Sequence, residues 1–438
     1  MSFTVKDVLD LQVAPALGCT EPVAIALGAA AAMSLLPGDD FDSLEVSVDP
    51  NVYKNGLAVS IPGTGGQSGL DMAAALGAVG GDAELRLEVL QPVNDAIVAG
   101  AKKALSADKV HVSLIEDQRG LLVKNVITSG KDVAECVIEG LHDNIVTLRL
   151  NGKDVDSPLI VSSGEKGESP LAAMEAWLKE LSLNDLLALT DDLDSEDFAF
   201  LREGVDVNMR LAEHGLKYGL GLGVGKTLER LVRQGLIKRD MMLDARILTS
   251  GAADARMSGL PLPAMSSAGS GNHGLTAILP IWAVKDHIED VSEKVVLEAI
   301  ALSHIVTAYV KAHTGRLSAV CGCSVAAGCG ATAGITFLLG GDAHHIAGAI
   351  KNLLEDLAGI ICDGAKAGCA LKLSTAAGTA VQAALFSLQG VSVHSTDGII
   401  GNSSEDTMRN IGTLAVDGMI QTDQTILRIM LEKKFSDV

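Results

Sequence analysis

Val320-Cys-Gly-Cys-Ser-Val-Ala-Ala-Gly-Cys-Gly330 is the stretch on which the fold of this chain turns. Cys321, Cys323 and Cys329 stand there among glycine, alanine and serine. A second run, Ile361-Cys-Asp-Gly-Ala-Lys-Ala-Gly-Cys-Ala370, adds Cys362 and Cys369, and Cys19 sits far upstream in Pro15-Ala-Leu-Gly-Cys-Thr-Glu-Pro22. Small neighbours let backbone and sulfur come close to a bulky inorganic group, so a metal or iron–sulfur centre is the first expectation. The same small residues let helices approach one another, which predicts a helix-rich, tightly packed fold around these runs.

Residues 171–438 carry no strand pattern and read as helices of moderate length joined by Gly-rich turns. A polar linker, Ser162-Ser-Gly-Glu-Lys-Gly167, precedes them. From residue 43 to about 161 the pattern shifts to short alternating runs. Those at 44–48, 57–61, 84–89, 110–114, 121–127, 132–138 and 145–150 read as strands, with helices at about 67–78 and 92–106. Residues 5–36 read as two helices, the second opening at Thr20-Glu21-Pro22, where proline suits the first helical turn. The expected fold class is α+β. Helices at 1–40 join an α+β module at 41–165, with an antiparallel sheet and helices on one face, to a large all-α Gly/Ala-rich domain at 166–438. A chain of 438 residues buries a large core, and two domains are its natural division.

The 55 acidic residues against 34 basic ones give a net charge of −21. Such a chain repels nucleic acid and anionic membranes, which favours a small-molecule partner over a polyanion. The positive mean hydropathy of +0.32 raises the membrane question. The longest small-residue stretch, 23–36, falls short of the ~20 residues a spanning helix needs. Later apolar segments are cut by Asp342, Lys351, Glu355 and Lys366, and the N-terminus lacks the features of a signal peptide. The expectation is a cytoplasmic protein with neither membrane nor nucleic-acid partner. Seven cysteines argue against a disulfide framework there and leave thiols available as ligands.

Cys362 and Cys369 on an unbroken helix would be separated by a rise of ~10 Å, too far for one compact cluster. Gly364 and Gly368 can break that helix and fold both thiols inward; the alternative is two buried cysteines acting as small hydrophobes. Three thiolates from two Gly-rich turns can cage a [4Fe–4S] cube and leave one iron open. Zinc hooks prefer Cys-x2–4-Cys, which Cys321-Gly-Cys323 does not match. Cys19 falls at or just before a helix N-terminus, where N–H groups and the macrodipole favour a thiolate.

Two nucleotide-binding lookalikes are discounted. Gly219-Leu-Gly-Leu-Gly-Val-Gly-Lys-Thr227 has Leu220 where a phosphate loop needs glycine, and reads as a helix connection. Gly269-Ser-Gly-Asn-His-Gly274 follows a Pro-rich stretch in place of a strand. It reads as a turn in which N–H groups with Ser270, Asn272 and His273 grip a small anion, or as a loop capping a helix from about Leu275. Cys136 reads as core of a strand. His304, His313, His344, His345 and His394 show no metal-ligand spacing and read as structural, and no lysine has a Schiff-base context.

Several segments together resemble the oxygen-sensitive L-cysteine desulfidase family, itself related to the alpha domain of iron–sulfur L-serine dehydratases. They are Pro15–Pro22, Asn51-Val-Tyr-Lys-Asn-Gly56 with Ile61-Pro-Gly-Thr64, Ser270-Gly-Asn-His-Gly274, Cys321-Gly-Cys323, Cys362 to Cys369, and Leu338-Leu-Gly-Gly341. The resemblance covers essentially the whole chain. It implies one [4Fe–4S] cluster held by Cys321, Cys362 and Cys369, with Cys323 as the alternative to Cys321. It implies a small amino-acid substrate, L-cysteine, converted to pyruvate, ammonia and sulfide by β-elimination. Cys19 would serve as base or approach the open iron, and the turn with Ser270, Asn272 and His273 would hold the substrate. L-Serine dehydration, a non-catalytic iron–sulfur or ligand sensor, and a metal-free protein with buried thiols are the competing readings. A homodimer is the default expected of a cytosolic enzyme.

Overall fold

The computed structural model describes residues 2–118, 120–160, 170–315 and 318–433. The linker Ser162-Ser-Gly-Glu-Lys-Gly167 and the 165/166 boundary lie outside the described residues. Thr4 and Asp7 cap α1 (Val5–Gln12) reciprocally; β1 (Pro15–Leu17) and α2 (Thr20–Met33) follow. Every residue of α2 from Thr20 to Ala32 is buried, as befits a helix with no polar face.

Next come β2 (Ser43–Val48), α3 (Pro50–Gly56), α4 (Leu70–Gly80), a 3₁₀ turn (Ala83–Glu88) and α5 (Asp95–Ser106). The strands β3 (Val110–Leu114), β4 (Leu122–Ser129), β5 (Asp132–Glu139), β6 (Ile145–Leu150) and β7 (Lys153–Asp154) complete a six-stranded sheet of order β3-β2-β4-β5-β6-β7. Helix α2 packs on β4, β5 and α4, and these elements share one apolar core. The α+β class holds, and the pairings from β2 through β4, β5 and β6 to β7 are antiparallel as expected; at one edge β2 and β3 run parallel, with Leu44 opposite Val110, so the sheet as a whole is mixed. The long connection through α3–α5 brings the chain back in the same direction, which a hairpin cannot do.

Two expected strands are absent. At 57–61 the chain closes on itself instead: Ile61 N–H donates to Gln67 O at 2.8 Å, and the Thr64 hydroxyl donates to Ile61 O at 2.6 Å. At 84–89 the alternation belongs to the 3₁₀ turn, kinked where Arg86 takes φ 53° and donates to the carbonyls of Asp143, Pro158 and Leu159.

The remaining elements are α6 (Pro170–Lys179), α7 (Leu183–Ala188), α8 (Ser195–Tyr218), α9 (Val224–Arg233), α10 (Met241–Met257), β8 (Pro263–Met265), α11 (Gly271–Val284), α12 (Glu293–Thr314), α13 (Ala326–Leu338), α14 (Ala343–Leu357), α15 (Cys369–Leu388), α16 (Ser404–Thr413), a π-turn (Leu414–Gly418) and α17 (Ile420–Glu432). Close helix approach is built in. A Cβ on Gly215 of α8 would come within 1.8 Å of Gly251 O on α10, so only glycine allows this crossing. Helices α12 and α15 are long and apolar enough to cross a bilayer by length and composition, longer than the sequence reading allowed. The apolar stretch of α12 is 89% buried within the protein, where it forms the centre of the helical core.

One small strand decides where the site forms. β8 pairs antiparallel with β1, Pro15 opposite Met265 and Leu17 opposite Pro263. It places Gly18 and Cys19, which directly follow β1, beside the segment leading into α11.

Candidate active site

The two cysteine runs meet. Val320 and Ile361 form an antiparallel bridge, flanked by Cys321 N–H to Ile360 O at 2.9 Å and Cys362 N–H to Ala319 O at 2.6 Å. Helix α14 has ended at Leu357 and α15 starts at Cys369, so the 358–368 segment between them folds back as a loop. The Cys323 thiol hydrogen-bonds Cys321 and, with the Ser324 hydroxyl 3.5 Å from Cys321 Sγ, holds the Cys321 thiol well below its ordinary range. Cys323 is pushed up in turn. Burial pushes Cys369 up to about 11. Burial also raises Cys362, against the pull of the Lys54 ammonium. Cys362 Sγ lies 3.9 Å from Asn55 Oδ1, and Cys369 Sγ lies 3.9 Å from Gly364 O.

Among the described residues no three Cys, His, Asp or Glu side chains stand close enough to hold one metal ion. Thiolates on different irons of a cube stand farther apart than donors to a single ion, and the soft donors gathered from two loops fit that group. Lys54 and Lys372 supply positive charge beside them. Cys329, in the same run, points elsewhere: it is fully buried in the core on α13, as Cys136 is on β5.

Cys19 is the N-cap of α2, as expected, but makes no capping bond with its side chain. Its thiol donates to Glu21 Oε2 at 2.9 Å. Burial first, then the Glu21 carboxylate, pushes the thiol well above its ordinary value. This corrects the expectation of a thiolate poised by the helix N-terminus. Cys19, Val59 and Met257 form one small buried cluster, on which Ala365 and Cys369 pack. The upstream cysteine thus joins the loop of the downstream pair.

The Ser270–Gly274 turn opens α11 itself, four residues earlier than Leu275. Ser270 is the N-cap and is half-buried, with no side-chain capping bond. Asn272 commits its amide to the protein: Oδ1 accepts from Arg256 Nη1 at 2.9 Å, and Nδ2 faces Met257 Sδ at 3.5 Å. That bond ties the amide to the Arg256 guanidinium. His273 Nδ1 lies 3.1 Å from Ser267 O, which fixes the ring proton there and leaves the Nε2 lone pair facing Gly322. Burial, with Lys311 nearby, holds this imidazole down at about 3, which favours the neutral ring. A Cβ on Gly322 would come within 2.4 Å of that Nε2, so the ring lies directly against the Cys321–Cys323 turn.

Sequence reasoning missed Glu21, Lys54, Asn55, Arg256, Ser324 and Lys372. Glu21, Lys54 and Asn55 lie inside quoted segments, but nothing in the pattern marked their direction. Arg256 had a usable signal. It is a strong cation in Gly251-Ala-Ala-Asp-Ala-Arg-Met257, a stretch otherwise of small and apolar residues save Asp254. The phosphate-loop lookalike joins α8 to α9, and its amides face Asp254: Gly225 N–H donates to Asp254 Oδ2 at 3.1 Å. His304 is buried, its Nδ1 2.8 Å from the Ser267 hydroxyl, and His345 caps α14 with Asp342. His394 lines a surface groove of about 580 Å³ with Glu355, Phe386 and Asp397, and no cysteine lines it.

Comparison with known proteins shows the family. Residues 86–428 match the family described as serine dehydratase alpha chain, a stretch that includes both thiol loops and the start of α11. A UPF0597 protein of Desulfatibacillum aliphaticivorans is 64% identical over 438 residues, covering 100% of both chains. Another, of Desulfotalea psychrophila, is 62% identical over 99% of each chain. A third, of Geobacter sulfurreducens, is 40% identical over 98% of this chain and 99% of its own. The chain belongs to the serine dehydratase alpha-chain family, related to the alpha domain of iron–sulfur serine dehydratases.

Proposed function

We propose that this chain is a [4Fe–4S]-dependent lyase that removes the β-substituent of a small L-amino acid, with L-cysteine giving pyruvate, ammonia and hydrogen sulfide. The observation that carries this reading is the meeting of two thiol loops, remote in sequence, with the buried Cys19–Glu21 pair packed against one of them. Cys321, Cys362 and Cys369 would hold the cluster, with Cys323 as the alternative to Cys321. Bound there, the group supplies a Lewis-acidic iron for the leaving group or carboxylate.

The chain's own residues supply the proton chemistry. Cys19 Sγ accepts the α-proton, after Glu21 Oε2, its hydrogen-bond partner, has drawn the thiol proton away. The hydroxyl of Ser270 and the first N–H groups of α11 hold the substrate at the helix N-terminus. His273, neutral and fixed by Ser267, braces the Cys321–Cys323 turn from behind. Loss of the α-proton and of sulfide leaves aminoacrylate, which water converts to pyruvate and ammonia. Seven free thiols suit a reducing, cytoplasmic setting.

The family's description favours a second reading, L-serine with water as the leaving group. Anaerobically purified protein should contain about four irons and four sulfides per chain. Its kcat/KM for pyruvate formation should be higher with L-cysteine than with L-serine. Pyruvate from L-serine alone would establish the dehydratase, and protein with no iron after anaerobic reconstitution would remove the lyase reading altogether.

A further inference from the structure

We infer that Arg256 is the anchor for the α-carboxylate of the substrate, presented between the Gly18–Cys19 segment and the first turn of α11. This deepens the lyase reading and rests on it. The side chain is 4% exposed. Nη2 donates to Gly18 O at 2.5 Å and Nη1 to Asn272 Oδ1 at 2.9 Å, while Nε is buried with no partner. Among the described residues no carboxylate pairs with this guanidinium. Two neutral acceptors do not neutralise a cation, and a buried cation with no carboxylate in direct contact is costly to maintain. An arriving anion removes that cost.

Position selects the anion. Gly18 directly precedes Cys19, so the guanidinium stands next to the residue that takes the α-proton. Gly271 opens α11, and a Cβ there would come within 2.5 Å of Nε and 2.9 Å of Nη2. Only glycine lets the guanidinium lie against this turn. The helix N-terminus adds its own positive potential. The α-carboxylate is the negative group that L-cysteine and L-serine share, and it is one bond from the carbon that must lose its proton. A guanidinium pinned on two sides before substrate arrives fixes that carbon relative to Cys19. Asn272 is a positioning residue, itself steadied by Met257.

The test uses L-alanine, which has the carboxylate and amine but no leaving group, against L-alaninamide. Binding to the reconstituted holoenzyme is followed by calorimetry, with visible absorption reporting cluster loading. Wild type should bind L-alanine at least about tenfold more tightly than the amide. Arg256→Gln should lose about tenfold for L-alanine and nothing for the amide, and Arg256→Lys should recover part of the loss. Equal affinity of wild type for acid and amide, or an Arg256→Gln variant that binds L-alanine as wild type does, overturns the inference. So does equal weakening of both ligands, which is the mark of a structural role. If Arg256→Gln fails to load its cluster, Arg256→Lys is read alone, and unchanged L-alanine affinity again overturns it. Because L-alanine cannot be eliminated, carboxylate binding through Arg256 without pyruvate from any substrate would sink the lyase reading and leave this one standing.

Discussion

Cys19 Sγ lies 2.9 Å from Glu21 Oε2, and both side chains are buried at the start of α2. The helix dipole offers a thiolate at this position about 0.3–1 kcal/mol. Burial disfavours the charged form far more strongly than that, and the neighbouring carboxylate pushes the same way. Burial wins, so the thiol keeps its proton and Glu21 is placed to take it. A thiolate made in such a site is a strong base, which suits an unactivated α-proton.

Glu21→Gln keeps the shape and removes the acceptor. Under the proposed mechanism kcat should fall by about 10²- to 10³-fold, with KM and iron content little changed. Cys19→Ser should lose comparable activity. A Glu21→Gln enzyme within twofold of wild type in steady-state pyruvate formation would show that Glu21 is not the acceptor.

Gly322→Ala tests how tightly the thiol doublet is seated. The new methyl would meet His273 Nε2, and neither the buried ring nor the bridged loop can move freely. A cost of about 1–3 kcal/mol is expected, together with reduced iron after reconstitution. Gly359→Ala is the control: no atom lies within 4 Å of its added Cβ, and it should change stability by less than about 0.5 kcal/mol. Thermal melts and iron analysis of both variants check this. Equal iron loading in the two would remove His273 as the brace of the turn.

How far the sequence reaches can be argued from these residues. The meeting of the two cysteine runs was legible because both are built of small residues that let backbones approach, and because Gly364 and Gly368 disfavour a straight helix between Cys362 and Cys369. The upward shift of the Cys19 thiol was not legible, since it depends on burial beside Val59 and Met257, which come from elsewhere in the chain. Segments 57–61 and 84–89 alternate like strands, but they satisfy their hydrogen bonds within their own turns, and no pattern reports a bond's partner. Arg256 draws its meaning from Gly18 and Asn272. Gly18 is remote in sequence and is brought near by the β1–β8 pairing.

Asp254 accounts for the glycine-rich phosphate-loop lookalike and carries a pH signature. Burial raises its carboxyl to about 6, although the amides of Gly225, Val224, Gly223 and Leu222 pull the other way. The unfolded chain releases this proton near pH 3.9. Between about pH 4 and 6 the folded state therefore binds more protons, and the Asp254 contribution falls as pH rises through that window. Asp254→Asn cannot ionise and keeps an acceptor for Gly225. Its melting temperature relative to wild type should rise from pH 4.5 to pH 7. A gap that stays flat or narrows over that range contradicts the assignment.

Helix α17 reaches the site by one charged contact. The Lys54 side chain is 1% exposed and pairs with Asp423 of α17, while Met430 lies over Gly364 in the thiol loop. Otherwise α17 packs mainly on α3 and the π-turn before it, with Ile420, Ile429 and Leu431 exposed. Asp423→Asn would leave the Lys54 ammonium buried beside a neutral amide. Losing a fully buried partner costs about 3–5 kcal/mol, and the partial exposure of Asp423 reduces this to about 1–3 kcal/mol. Undocking of α17 is the cheapest relief, so trypsin should cut at Arg428 faster in Asp423→Asn than in wild type. Lys54→Met in the same chain removes the stranded charge and should return both stability and protease resistance toward wild type. If the double variant is cut as fast as the single one, the ion pair is not what holds α17 against α3.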